Sequence, residues 1–119
     1  MRVSLAAAIC ILCLAPLPAL SDDAMESEID YLLAVVADSG CTFIRNGKQY
    51  SATDARDHLS MKRRRGKRYY DNADEFIERI ASKSSWSGKP YRIQCSDDID
   101  EPAGDWFSKA LLEYRDSRG

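Results

Sequence analysis

Two stretches decide the fold: Cys41-Thr42-Phe43-Ile44-Arg45-Asn46-Gly47-Lys48-Gln49-Tyr50, and Ser87-Gly88-Lys89-Pro90-Tyr91-Arg92-Ile93-Gln94-Cys95. In the first, Asn46-Gly47 separates two short runs of β character, and a type I′ turn needs positive φ at both central positions, which these two residues tolerate best. A hairpin over Cys41 to Tyr50 follows. In the second, Tyr91 to Cys95 reads as a further strand. Side chains alternate along a strand, so Cys41 and Phe43 share one face, and Tyr91, Ile93 and Cys95 share another. Antiparallel pairing of these strands sets Cys41 beside Cys95 on one face, the arrangement a disulfide requires.

Outward from this pair the apolar period is helical. Ile29, Leu32, Leu33 and Val36 recur at i, i+3, i+4 and i+7, which predicts a helix from about Met25 to Ser39, stopped by Gly40. Ser51 is the N-cap of a second helix running to about Arg65 and ending at Gly66, with Ala55, Leu59 and His58 toward the inside. Asp71 or Asn72 caps a third, whose buried stripe is Ala73, Phe76, Ile77, Ile80 and Ala81. Lys83 to Pro90 reads as a loop, and Pro102 opens a last helix with Trp106, Phe107, Ala110, Leu111 and Tyr114 facing the core. The expectation is a single α+β domain of order αββααβα, with a small antiparallel sheet covered by helices and one disulfide.

The N-terminus has the pattern of an export signal. Met1 and Arg2 precede an apolar run to Leu20 that contains Pro16 and Pro18, and Ala19-Leu20-Ser21 places small residues at −3 and −1 of a cut before Asp22. The expected division is residues 1–21 as signal peptide and 22–119 as the domain, in the periplasm or secreted, with no membrane anchor after cleavage. Leu12 and Ile9 before Cys13 and Cys10 do not suit lipid attachment. Loss of the signal removes Cys10 and Cys13 and leaves Cys41 and Cys95, which pair in an oxidising compartment. No Cys-x-x-Cys remains and His58 is the one histidine, which argues against a metal or redox site. The chain carries 17 basic and 19 acidic residues; without Arg2 the balance is 16 against 19, a net charge of about −3. Such a balance gives no case for nucleic acid as partner.

Phe43-Ile44-Arg45-Asn46-Gly47, Ala55, His58-Leu59, Lys62, Phe76-Ile77-Glu78-Arg79-Ile80-Ala81-Ser82, Ser84-Ser85 and Ser87-Gly88-Lys89-Pro90-Tyr91 together resemble the YfeK-like family of small exported bacterial proteins. The similarity covers roughly Thr42 to Arg92. It implies a small exported domain and carries over no catalytic residue, ligand or cofactor.

The candidate site residues are basic and aromatic. Lys62-Arg63-Arg64-Arg65-Gly66-Lys67-Arg68, followed by Tyr69-Tyr70, joins Arg45 of the hairpin in a surface that could hold phosphates or carboxylates of an envelope component. The plainer reading is that cations at a helix C-terminus complement its dipole and stay solvated. The loop Ser82 to Tyr91 adds Trp86 and Lys89. It is no Walker A, because Pro90 follows Gly88-Lys89 and Lys83 stands where the first glycine belongs. Its plainer reading packs Trp86 on the core edge while the serines cap backbone groups. Asp97-Asp98-Ile99-Asp100-Glu101 reads as a solvated, helix-capping loop, lacking the EF-hand pattern.

Two functions follow. The first is a non-catalytic periplasmic binding or interaction domain for an anionic envelope component or a protein partner, using Arg45, Lys62 to Arg65, Lys67, Arg68, Tyr69, Trp86 and Lys89. The alternative is a small hydrolase using His58 and a serine of residues 82–87. No spacing assembles a nucleophile, base and orienter, so the binding reading is preferred, with no cofactor or metal implied.

Overall fold

The structure, a computed structural model, describes residues 20–96 and 98–119. All but the last two residues of the expected signal peptide lie outside that range, as does Asp97. Among the described residues, four helices pack on one antiparallel sheet: α1 (Leu20–Asp38), β1 (Thr42–Arg45), β2 (Lys48–Tyr50), α2 (Ala52–Arg65), α3 (Ala73–Phe76), β3 (Arg92–Cys95), β4 (Ile99–Pro102) and α4 (Ala103–Arg118). A 3₁₀ turn (Lys67–Tyr69) links α2 to α3, and α3 widens into a π-helical segment over Ile77–Ala81. The sheet order is β2-β1-β3-β4. The chain is an α+β domain with one disulfide.

The local signals explain most of these boundaries. Asn46 and Gly47 take φ of 52° and 80°, the primed turn that brings Arg45 opposite Lys48. Ser51 Oγ accepts from the Asp54 backbone N–H at 3.1 Å. At α3, Asn72 Oδ1 accepts from Glu75 N–H at 2.8 Å while Glu75 Oε1 accepts from Asp71 N–H at 2.8 Å, so two orphan donors are satisfied by neighbouring side chains. Thr42 faces Gln94 across β1 and β3, a register that carries Cys41 onto Cys95. Their Cα atoms are 4.4 Å apart and the sulfurs are bonded. That separation is close to the spacing of a non-hydrogen-bonded antiparallel pair, the position where facing side chains come nearest.

The core is one cluster. Ile29, Leu32 and Val36 of α1, Phe43 of β1, Leu59 of α2, Phe76 of α3, Ile93 of β3 and Phe107 and Leu111 of α4 are all essentially without solvent exposure. The stripes expected of α1 and α3 are buried; in α4 Phe107, Ala110 and Leu111 are buried, while Trp106 is half-buried and Tyr114 stacks on Tyr31 at 4.5 Å outside the core. The ends are tied by charge: Arg115 of α4 forks onto Glu28 of α1 at 2.7 and 2.9 Å and reaches Asp74 of α3 at 3.0 Å.

The structure adds one strand to the expected order. Ile99–Pro102, expected as an acidic loop with Pro102 opening the last helix, is strand β4, and α4 begins at Ala103. Cross-strand chemistry accounts for the difference. Asp100 faces Gln94, accepts from its amide at 3.2 Å, and accepts from Arg92 Nε at 3.0 Å. Glu101 takes an ion pair from Lys109 of α4 at 2.7 Å. Acidic residues are unfavourable in strands generally, yet on an edge opposite basic and amide partners they are supported, and their charge discourages pairing with a further chain. Pro102 at the strand end interrupts no internal ladder.

Candidate functional site

Helix α2 buries Ala52, Ala55, Leu59 and Lys62. The first three follow the spacing of an inward stripe, and the fourth continues it with an amine in place of an apolar group. Lys62 is only 7% exposed. Its ammonium donates to the Lys83 carbonyl at 2.8 Å and to the Tyr91 hydroxyl at 3.0 Å. An ammonium has three protons, so one has no protein acceptor among the described residues. No carboxylate pairs with Lys62 among them either.

Tyr91 is held on every side. Its N–H donates to Ser82 O at 2.9 Å and its carbonyl accepts from Ala103 N–H at 2.8 Å, so the backbone bridges the end of the π-helical segment and the start of α4. The ring lies 5.1 Å from that of Phe43. The hydroxyl lies 3.0 Å from Lys62 Nζ and 3.2 Å from His58 Nε2.

The electrostatics follow from burial and from like charges. Burial, then Arg45 and Lys83, lowers the Lys62 pKa from 10.5 to about 8. Burial, then Arg45 and Lys62, lowers that of His58 from 6.5 to about 4. Burial raises the Tyr91 phenol from 10.0 to about 12, against a smaller opposing effect of Arg45. At neutral pH the site therefore holds a neutral imidazole, a neutral phenol and an ammonium. Neutral His58 can accept from the Tyr91 hydroxyl while that hydroxyl accepts from Lys62.

This constellation lines a cavity of about 710 Å³. Five cationic side chains reach it, Arg45, Lys62, Arg65, Arg79 and Lys83, and among the described residues no carboxylate lines it. Arg45 stacks on the Tyr50 ring at 4.4 Å, and Arg79 donates to the Tyr69 carbonyl at 3.0 Å. Met61, Ile80, Tyr69 and Trp86 add apolar and aromatic surface to the wall, and Asn46, Ser84 and Ser85 add polar groups. Gly66 permits the closure between α2 and the π-helical segment: a Cβ there would lie 2.7 Å from Ile80 Cδ1.

The chain matches the family described as "Family of unknown function (DUF5329)" over residues 23–115. It belongs to that family. The match extends beyond the Thr42 to Arg92 blocks to both terminal helices and includes every residue of the cavity wall. A Salmonella typhimurium (strain LT2) relative named "Uncharacterized protein YfeK" is 37% identical over 67 residues. The aligned part covers 56% of each chain, so the protein spans about half the length of the curated relative it matches. No solved structure matches it.

Of the residues singled out in the sequence, Arg45, Lys62, Arg65, Tyr69 and Trp86 meet at the cavity. Arg63 does not. It turns to α1, pairing with Asp30 at 2.8 Å and with Glu26, and so holds two helices together. Arg64 is exposed and donates to Ser60 O at 3.4 Å; Arg68 stacks on Tyr69 with its guanidinium 5.0 Å from the ring centre; Lys67 and Lys89 are exposed away from the wall. The alternation of inward and outward positions on one helical turn separates Arg63 from Lys62, which a run of basic letters conceals.

The loop also differs from its plainer reading. Its serines do cap backbone groups, with Ser84 Oγ accepting from Trp86 N–H at 3.2 Å and Ser87 N–H at 3.1 Å. Trp86, however, is 91% exposed and stands at the cavity rim instead of packing on the core. Ser84 is thus engaged by its own loop and by Asn46, and the hydroxyl beside His58 is that of Tyr91. Arg79, Ile80, Lys83 and Asn46, absent from the expected surface, also line the cavity. Among the described residues no cluster of three or more His, Cys, Asp or Glu could hold a metal.

Proposed function

We propose that this domain is a non-catalytic binding module of the bacterial cell envelope that takes an anionic group into the cavity over Lys62. The observation that carries the reading is the buried Lys62 ammonium with no carboxylate partner, in a wall of five cations. Burying an unpaired charge is costly, and an oxyanion that accepts its remaining proton would relieve that cost. Arg45, Arg65 and Lys83 form no ion pair among the described residues and stand ready to share the same charge. The negative net charge of the chain speaks against a nucleic-acid partner.

An exported location supports this reading. A disulfide between Cys41 and Cys95 belongs to an oxidising compartment, and residues 1–21 have the pattern of a cleaved signal. Among the described residues no helix is long and apolar enough to cross a membrane.

The test is retention on purified peptidoglycan and on lipopolysaccharide, for wild-type protein and for Lys62→Met. Wild-type retention at low salt should fall as ionic strength rises, and Lys62→Met should be released at lower salt. Wild-type protein that passes through both fractions at low salt overturns the envelope-anion reading.

A further inference from the structure

The rim of the cavity carries the feature that the charge alone does not explain. Trp86 presents nearly its whole indole to solvent, and the loop that carries it is braced. Asn46 Nδ2 donates to Ser84 Oγ at 3.3 Å, and Ser87 Oγ donates to Asn46 Oδ1 at 2.6 Å, so the β1–β2 turn grips the loop at two points. Within the loop, Gly88 N–H donates to Ser84 O and Ser84 N–H to Lys89 O, both at 2.9 Å. Below these, Lys83 pairs with Pro90 in an antiparallel bridge. A large apolar ring is ordinarily withdrawn from water, and a supported loop has no need to display one. Where such a ring stands beside a cavity, it is a surface for a flat partner.

The wall itself has two chemistries. Arg45 and Lys83 lie close enough to lower the Lys62 pKa, and Arg45 and Lys62 that of His58, which gathers the charge at one end. One helical turn further along α2, Gly66 meets Ile80 and Tyr69, and Ile80 is buried. Four residues of α-helix advance about 6 Å, roughly the reach of one ring with its substituent.

We infer that the ligand is an oxyanion carried on a flat, largely apolar ring, its charged group over Lys62 and its ring against Trp86 and Tyr69. This inference rests on the anion reading above and narrows it. Aryl carboxylates are the simplest members of the class.

The test is a titration of the oxidised, exported chain, followed by amide chemical shifts, with three probes: acetate, 2-naphthoate and the uncharged 2-naphthylmethanol. Naphthoate should bind at least about fivefold more tightly than either of the others, with shifts at Lys62, Ile80 and Trp86. Trp86→Ala, an exposed position, should keep its melting temperature and bring naphthoate to within about twofold of acetate. Naphthoate no tighter than acetate would overturn the ring and leave the anion site standing. Naphthylmethanol as tight as naphthoate would instead remove the role of charge, and shifts with none of the probes would remove both.

Discussion

The Lys62 ammonium lies 3.0 Å from the Tyr91 hydroxyl, and the same hydroxyl lies 3.2 Å from His58 Nε2. Three titratable groups, two from α2 and one just before β3, thus share one oxygen, and each has its proton affinity moved toward the uncharged form. Lys62 and His58 each open a window of pH-dependent stability.

For Lys62 the folded value is about 8 against 10.5 unfolded, so the unfolded chain holds more protons between those limits and Lys62 adds stability as pH rises through them. For His58 the corresponding limits are about 4 and 6.5, and its contribution is lost as pH falls from 6.5 to 4. Thermal melts across pH should show that Lys62→Met flattens the upper window and His58→Gln the lower. Unchanged pH profiles in both variants would place these groups in water. Anion binding should weaken above pH 8 as Lys62 loses its charge.

Arg63 and Arg65 are two residues apart and should behave oppositely. Arg63→Ala removes the ion pairs to Glu26 and Asp30, and should lower stability by about 0.5–1 kcal/mol with anion affinity retained. Arg65→Ala should leave the melting temperature within a degree or so and weaken anion binding, because Arg65 lines the cavity and forms no ion pair among the described residues. Equal loss of affinity in both variants would contradict the separation of their side chains.

Gly66→Ala should cost about 1–3 kcal/mol, since the added Cβ meets Ile80 Cδ1 at 2.7 Å. The backbone itself is no obstacle, with φ of −100°. Ile80→Val removes the δ-methyl group, so the alanine substitution should cost less in that background. Denaturant unfolding of the four combinations measures the coupling, and strictly additive effects would show that the two residues do not touch.

The Cys41–Cys95 bond closes a loop whose ends are 54 positions apart. On the chain-entropy model that constraint contributes about 4 kcal/mol. Intact mass under non-reducing conditions should fall about 2 Da below the reduced form, and Cys41→Ser with Cys95→Ser should lower the denaturant midpoint and raise the slope, because the unfolded chain without the cross-link exposes more surface. Two free thiols in protein kept under oxidising conditions would remove the bond.

The parts of the fold written in local chemistry were legible in the sequence: Asn46-Gly47 named the hairpin, Ser51 and the pair Asp71-Asn72 marked two helix starts, and the period-2 alternation of Phe43, Ile93 and their neighbours placed both cysteines on one face. Strand β4 was not, because Asp100 and Glu101 become acceptable in a strand only once Arg92, Gln94 and Lys109 stand opposite them. The cavity was half visible. A lysine continuing the Ala52, Ala55, Leu59 stripe was a readable sign of a buried amine, but the basic run around it drowned the spacing. Arg79, Lys83 and Tyr91 join it only because the π-helical segment and the loop return to α2, a tertiary event with no local signature.

The bond from Tyr91 N–H to Ser82 O, with the Lys83 and Pro90 bridge beside it, fastens the loop at its root. Everything beyond that root is solvent-facing apart from Ser84, so its residues answer to no neighbour in the core. A change at Ser85 or Trp86 can therefore alter the rim without passing strain to the sheet, whereas Ser87 is tied to Asn46 of the β1–β2 turn. On the binding reading proposed above, tips of different composition should graft onto this root, and a change of ligand preference would need no change in the scaffold.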